Sequence, residues 1–524
     1  MDRNLRMGRR VKHEVPLRTV ARVASVATGV QFGWALQLSL LTPYVQVLGI
    51  PHTWASYIWL CGPISGMLVQ PIVGYYSDRC DSQWGRRRPF IVIGSCFVVC
   101  AVLLIGFSED LGYLFGDSHT SRPRAIIVFI LGFWILDLAN NLLQGPCRAL
   151  LADLTGRNQR RTRSANALFS LFMAVGNVLG FAAGSYSKWY KLLPFTRTVA
   201  CDVNCANLKS AFFIAIIVTI TATILSISSV PERRWSPLSE RKPIIPAPCA
   251  SAPQDAKAEA IAKAGDVQDD DDEELSEAFI WELFTAFWDL PHSMWYLLLV
   301  TALTWIAWFP FLLFDTDWMG REVYRGEPSG HSAFSSLYDQ GVRAGAFGLM
   351  LNAIMLGATS LMVDFLAGKF GPRLLWAMAN LILSVSLACT GLITKAAEVY
   401  TNEPSSPPAA VKISAMVLFS VLGVPLAVTY SIPFALAATF SSSSGAGQGL
   451  SMGVLNLSVV IPQIFVSLGS GPWDALFGGG NLPAFMLASV SALAGAIAIL
   501  TWLPSPPPDF PSSHILRTQS SPFP

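Results

Sequence analysis

The chain has 524 residues, 52% hydrophobic and 13% charged, with a net charge of +2 and a mean hydropathy of +0.47. A soluble protein of this length would carry about 25% charged residues, so lipid is the expected solvent. The small net charge argues against a nucleic-acid surface, and no serine–histidine, HExxH or phosphate-loop pattern supports an enzyme.

Residues 1–20 read as a polar, basic cytosolic tail without a cleavable signal pattern. Twelve apolar runs long enough to span a bilayer follow, centred near residues 34, 66, 98, 137, 176, 219, 303, 354, 383, 425, 460 and 492. Six fall in an N-terminal half, 21–230, and six in a C-terminal half, 291–504. Between them, 231–290 carries PIIPAPCASAP and the acidic run Asp269 to Glu274, and reads as a solvated cytosolic linker. The proline-rich stretch 505–524 reads as a cytosolic tail. Arginines crowd the N-terminus and the turns after spans 2 and 4, while the loops after spans 1 and 3 are nearly free of them, which predicts cytosolic termini.

Span 1 carries Gln31, Trp34 and Gln37, the mixture of amide and aromatic groups that sugar sites use. His52 stands in the loop after it, where a lone histidine is commonly incidental. Span 2 runs into GYYSDRCDSQWGRRRPF, with Asp78, Arg79, Arg86 and Arg87 in a tight basic turn. Its Asp78, Gly85 and Arg87 recur as Asp364, Gly371 and Arg373, each 286 positions later and again between the second and third spans of a half. That placement is what a duplicated six-helix unit predicts.

Span 4 contains LDLANNLLQGPCRALLADL, residues 136–154. At 100° per residue, Asn140, Asn141, Gln144 and Arg148 lie at about −60°, +40°, −20° and +20° from Asp137, so all five share one face. Asp153, at about 160°, points away and belongs to the cytosolic helix end. An ionised aspartate at mid-bilayer costs on the order of 2.5–3.5 kcal/mol, so the face must line a cavity or meet partners. The functional reading makes Asp137 a proton carrier; the amides either contact a passenger or join helices. Arg148 is about 16 Å along the axis from Asp137 and cannot pair with it on a straight helix.

Cys201 and Cys205 share one short polar loop, where a disulfide is permitted; two cysteines without histidines do not complete a zinc site, so no metal is expected. Span 7 closes on FDTDWMGRE, with Asp315, Asp317, Arg321 and Glu322. These charges mark either a helix end in water or an ion-pair network, with Asp317 and Arg321 at i and i+4, that helps close an outer gate. Asn177, Asn352, Asn456 and Gln463 are further polar groups within spans.

The stretches GVQFGWALQLSLLTPYVQVLGIPH, IWLCGPISGMLVQPIVGYYSDRC, GRRRPFI, LDLANNLLQGPCRALLADL, WFPFLLFDTDWMGREVY, SSSSGAGQGLSMGVLNL and DALFGGGNLPAF closely resemble plant sucrose–proton symporters. The resemblance runs from about residue 17 to 504, with a departure from the usual pattern at DRCDSQWGRRRPF. It implies an all-α membrane protein with the major facilitator superfamily fold, twelve transmembrane helices in two pseudo-symmetric six-helix halves. It also implies uptake of sucrose and related glucosides into the cytosol with protons, and no cofactor beyond that coupling ion. It places Asp137 and Arg148 in the family's functional motif, makes the span 7 charges functionally sensitive and associates His52 with substrate access. The partners expected are sucrose, H⁺ and the bilayer, with no nucleic acid and a monomer as the unit. EELSEAFIWELF and SLGSGPWDALFGGGN resemble the branch that includes vacuolar-membrane members, leaving vacuolar and plasma membranes both open. A membrane sugar sensor that binds sucrose with little transport is the alternative function.

Overall fold

The computed structural model describes residues 15–51, 54, 57–118, 122–155, 159–201, 203–229, 290–328, 333–400, 406–444 and 448–504. His52, the linker, the C-terminal tail and the side chains of Asp78 and Arg79 lie outside the described residues. The described residues fold into helices, with a long one at each expected position. We label these α1 (Val26–Val47), α2 (Cys61–Arg79), α3 (Arg88–Gly106), α4 (Pro123–Thr155), α5 (Gln159–Ser185), α6 (Val203–Ser228), α7 (His292–Trp318), α8 (Ala333–Phe370), α9 (Pro372–Tyr400), α10 (Ala409–Thr429), α11 (Gln448–Leu476) and α12 (Leu482–Thr501). A short helix, Ile432–Ser444, follows α10. Among the described residues, ten helices are long and apolar enough to cross a membrane; α1 and α2 are not among them. Leu361, Leu392 and Phe465 are among many large apolar side chains left exposed, which suits a surface solvated by lipid.

The two halves repeat one packing scheme. In the first, α1 packs on α5 and α6, α4 on α2 and α3, and α3 on α6; in the second, α7 packs on α11 and α12, α10 on α8 and α9, and α9 on α12. Advancing every label by six converts one set into the other. The contacts between halves obey the same exchange, because α5 meets α8 where α11 meets α2. The repeated turn is real at the backbone level: Gly85 and Gly371 both adopt positive φ, +108° and +80°, a conformation that favours glycine.

The arginines after those glycines fasten each turn to a different helix end. Arg86 Nη2 lies 2.7 Å from Asp153 Oδ1, and Arg87 Nε lies 3.4 Å from Asp153 Oδ2, which seats the α2–α3 turn on the end of α4. Asp153 is thus placed as its helical phase predicts. Arg373 instead donates to the carbonyls of Ile499, at 3.0 Å, and Leu500 at the end of α12. At the opposite end of the bundle, Cys201 and Cys205 are joined in a disulfide at the start of α6. Glu109 lies close to that pair and accepts from Arg122 Nη1 at 3.0 Å, while the buried Lys209 ammonium pairs with Asp110.

Glycines set the spacing of α1 and α5. A Cβ at Gly176 would fall 2.4 Å from the Thr28 carbonyl oxygen, and one at Gly180 would fall 2.6 Å from Ala35 Cβ. Gly145, by contrast, has open space around it. Gly176→Ala is therefore expected to destabilise the protein by about 1–3 kcal/mol, read as a lower unfolding temperature of the purified protein in detergent. Gly145→Ala should leave that temperature unchanged or raise it slightly.

Candidate functional site

The middle of α4 meets α2 along a polar seam. Asp137 and Asn140 are each only 3% exposed, Asn141 and Gln144 are half-buried, and Arg148 is exposed. Glycine at position 62 lets α2 come close to the acid: a Cβ there would stand 3.2 Å from Asp137 Oδ2. The Cys61 thiol adjoins the same carboxyl and lies 3.7 Å from the Trp134 carbonyl oxygen. Asn141 Nδ2 donates to Ser65 Oγ and to the Asp137 carbonyl, both at 3.0 Å, and Ser65 Oγ donates to the Gly62 carbonyl at 3.1 Å. Asn140 Nδ2 is buried with no hydrogen-bond partner among the described residues. Such a donor costs about 1–3 kcal/mol while it stays unsatisfied, so a passenger with acceptor oxygens would relieve it.

The remaining residues expected in this seam divide. The Arg148 guanidinium sits 4.8 Å from the Phe169 ring centroid, and its Nη2 lies 3.6 Å from Met173 Sδ, so α5 holds it away from Asp137. Gln37 lies apart from the seam: with Leu36, Leu41, Phe129, Phe133 and Leu208 it lines a narrow apolar crevice inside the first half, its Nε2 without a hydrogen-bond partner among the described residues. One turn of helix separates Trp34 from Gln37 only by about 60°, yet Trp34 is half-buried at the edge of that core. Asn352 spends its amide on the Phe419 carbonyl at 2.9 Å and ties α8 to α10.

A second polar cluster stands where α7 ends, in the five-residue π-helical turn Met319–Val323. Asp317 is fully buried and accepts hydrogen bonds from Arg321 Nε at 3.1 Å, from the Tyr338 hydroxyl at 2.6 Å and from Asn481 Nδ2 at 3.1 Å. Arg321 also donates from Nε (3.0 Å) and Nη2 to Gln46 Oε1 of α1, which joins the two halves. Glu322 does not pair with Arg321. Its carboxylate accepts from the Asn481 backbone N–H and from Thr394 Oγ1 at 3.4 Å, in a pocket that Gly480 leaves open.

Asp315 does not belong to this network. Two residues along a helix is about 200° of rotation, which turns Asp315 away from Asp317; it is 1% exposed and neither carboxyl oxygen finds a hydrogen-bond partner among the described residues. Gln46, Tyr338, Asn481 and Thr394 are residues of this cluster that the sequence reading missed. Only Asn481 had a local signal, the three glycines before it, all with positive φ, which bring the start of α12 back to the end of α7.

A family model for MFS/sugar transport proteins matches residues 23–230. The chain is 52% identical to sucrose transport protein SUT2 of Oryza sativa subsp. japonica over 498 residues, 94% of each protein. It is 52% identical to sucrose transport protein SUC4 of Arabidopsis thaliana, covering 94% of this chain and 91% of that one. Sucrose transport protein SUC3 of Arabidopsis thaliana is 46% identical, with 97% and 91% covered. Among solved structures, a POT family transporter in complex with 5-aminolevulinic acid superposes with a TM-score of 0.60 at 12% identity, over 92% of this chain and 95% of that one. A point mutant of the nucleoside transporter NupG gives 0.58 at 11% identity, over 92% and 99%. Those two likenesses show a shared helical fold, and the match to the MFS/sugar transport family identifies it as a major facilitator bundle. With half of its residues shared along nearly its whole length, the chain belongs to the sucrose transport protein family.

Proposed function

We propose that the protein carries sucrose together with a proton by alternating access, with Asp137 as the proton carrier. The observation that carries this reading is the seam itself: a buried carboxyl at mid-helix, set on a glycine of α2 and flanked by an amide with an unspent donor. A carboxyl there can donate to a sugar hydroxyl when protonated and accept from one when ionised, so sugar and proton occupancy become linked through one group. The basic turns after α2 and α4 support a cytosolic face at that end, with both termini on the same side. The opposite end, held shut by Arg321 on Gln46, is then the loading side.

In a plasma membrane the cycle brings sugar into the cell; in a vacuolar membrane it empties the lumen. One proton is energetically sufficient. A pH unit supplies about 1.4 kcal/mol and 100 mV about 2.3 kcal/mol, together enough for a concentration ratio of roughly a few hundred. The two halves rock against each other across the α5–α8 and α2–α11 contacts, so that the central site faces each side in turn.

Asp137→Asn is expected to abolish proton-driven accumulation of radiolabelled sucrose and the inward current that sucrose evokes at acidic pH. Full accumulation by that variant would end the coupling assignment, and sucrose binding without any transport by the unaltered protein would favour the sensor reading. A second outcome concerns the closed end. Gln46→Leu removes the acceptor that Arg321 grips, a charge-assisted contact worth about 1.5–3 kcal/mol, and should open that end more often by about tenfold or more. Labelling of Ala346→Cys, a buried position on α8, by a membrane-impermeant thiol reagent should accelerate accordingly; an unchanged rate would remove Gln46 from the gate.

A further inference from the structure

A cleft at the loading end stands apart from the Asp137 seam. The first half contributes Tyr44 of α1, Tyr186 and Ser187 beyond α5, and Asn207 of α6; the second half contributes Asp339 and Arg343 of α8. Leucine, valine and proline side chains complete its floor. It is a two-sided site, and its walls exist together only when this end of the bundle is closed.

Three features of the lining indicate the chemistry. Tyr186 is half exposed and stands edge-on to Trp189, 5.0 Å between centroids, so its ring is held in place as a platform for apolar C–H faces. The Arg343 guanidinium is half-buried and makes no hydrogen bond or ion pair among the described residues, so its donors await acceptor oxygens. The Asp339 carboxylate lines the same wall, which disfavours an anionic ligand. The Asn207 carbonyl oxygen is engaged by the Tyr190 backbone N–H at 3.2 Å, which fixes the amide in orientation. A polyol with one apolar face, flanked by a carboxylate, a guanidinium and an amide, is the ligand such a lining fits.

We propose that this cleft is a second saccharide site, which binds a neutral sugar from the loading side only while that end is closed. The inference rests on the proposed sucrose transport and on the assigned orientation. Tyr338, whose backbone position forms part of the same wall, is also the residue whose hydroxyl holds Asp317 in the gate. A sugar lodged in the cleft therefore stabilises the closed gate, because a ligand favours the conformation in which its contacts exist. Sugar at high concentration outside thereby slows its own uptake.

The test is equilibrium binding of radiolabelled sucrose to the full-length protein in lipid nanodiscs, together with uptake measured across a wide range of external sucrose. The proposal expects two binding steps, the weaker matched by a fall in uptake at high sucrose. Arg343→Ala and, separately, Asn207→Leu should weaken the second step by about tenfold, equivalent to about 1.4 kcal/mol, and remove the fall while the first step persists. Using one variant from each wall guards against misfolding of either, and monodisperse elution checks both. A single binding step in the unaltered protein, or a second step that both variants leave intact, overturns the cleft assignment. Absence of any sucrose binding would overturn the transport reading instead, so the two failures are distinct.

Discussion

A carboxylate with no access to water has to receive donors from the protein, and Asp317 meets that requirement by drawing three helices to one point. Its donors come from the end of α7, the start of α8 and the start of α12. Removing any one would leave charge buried without full compensation, and that penalty, more than the strength of each bond, is what makes the arrangement restrictive. The neighbouring Glu322 adds α9 through Thr394 and a second contact to Asn481. The second half is thereby fastened at one end, and Arg321 extends the fastening by one residue to α1 of the first half.

The duplicated scaffold uses its two copies for different purposes. Helix pairings and the positive-φ glycines repeat with close fidelity, so backbone geometry has been retained. Polar chemistry has diverged. In the first half the buried acid sits at mid-helix on a glycine, with soft, neutral neighbours in Cys61, Ser65 and Asn141. In the second half the acids at the end of α7 are locked by charged and aromatic donors. Asp315 stands between these regimes, enclosed and without a hydrogen bond among the described residues. Even the matching turn arginines differ in target, since Arg87 pairs with a carboxylate of α4 and Arg373 with backbone carbonyls of α12. A pseudo-symmetric pair with unequal chemistry suits a machine in which one half binds and the other latches.

Much of the fold was legible because lipid imposes a simple code. Apolar runs of the right length place the helices. The glycine and arginine spacing of the two turns disclosed the duplication without any tertiary information. The Asp137 face was equally legible, since helical phase alone collects Asp137, Asn140, Asn141 and Gln144. What phase cannot give is the partner helix. It placed Arg148 on that face, yet Phe169 and Met173 of α5 determine where the guanidinium rests. It offered Gln37 as a sugar ligand because amides in lipid attract attention, whereas the structure lodges it among leucines and phenylalanines. It grouped Asp315 with Asp317 by proximity in sequence, although an α-helix sends residues two apart to opposite sides. Gln46 is 275 positions from Arg321, and Tyr338 and Asn481 are 21 and 164 from Asp317, so only folding brings these partners together.

Gly62 has the smallest side chain in the seam and constrains it most. With hydrogen in place of a methyl group, α2 lies close to the Asp137 carboxyl, since a Cβ at this position would stand 3.2 Å from Oδ2. The separation of two helices, rather than the identity of the acid, then sets how dry the carboxyl is. A motion of α2 by a fraction of an ångström becomes a change in solvation at a carboxyl that is otherwise only 3% exposed. Position 62 is, in that sense, the adjusting screw of the site.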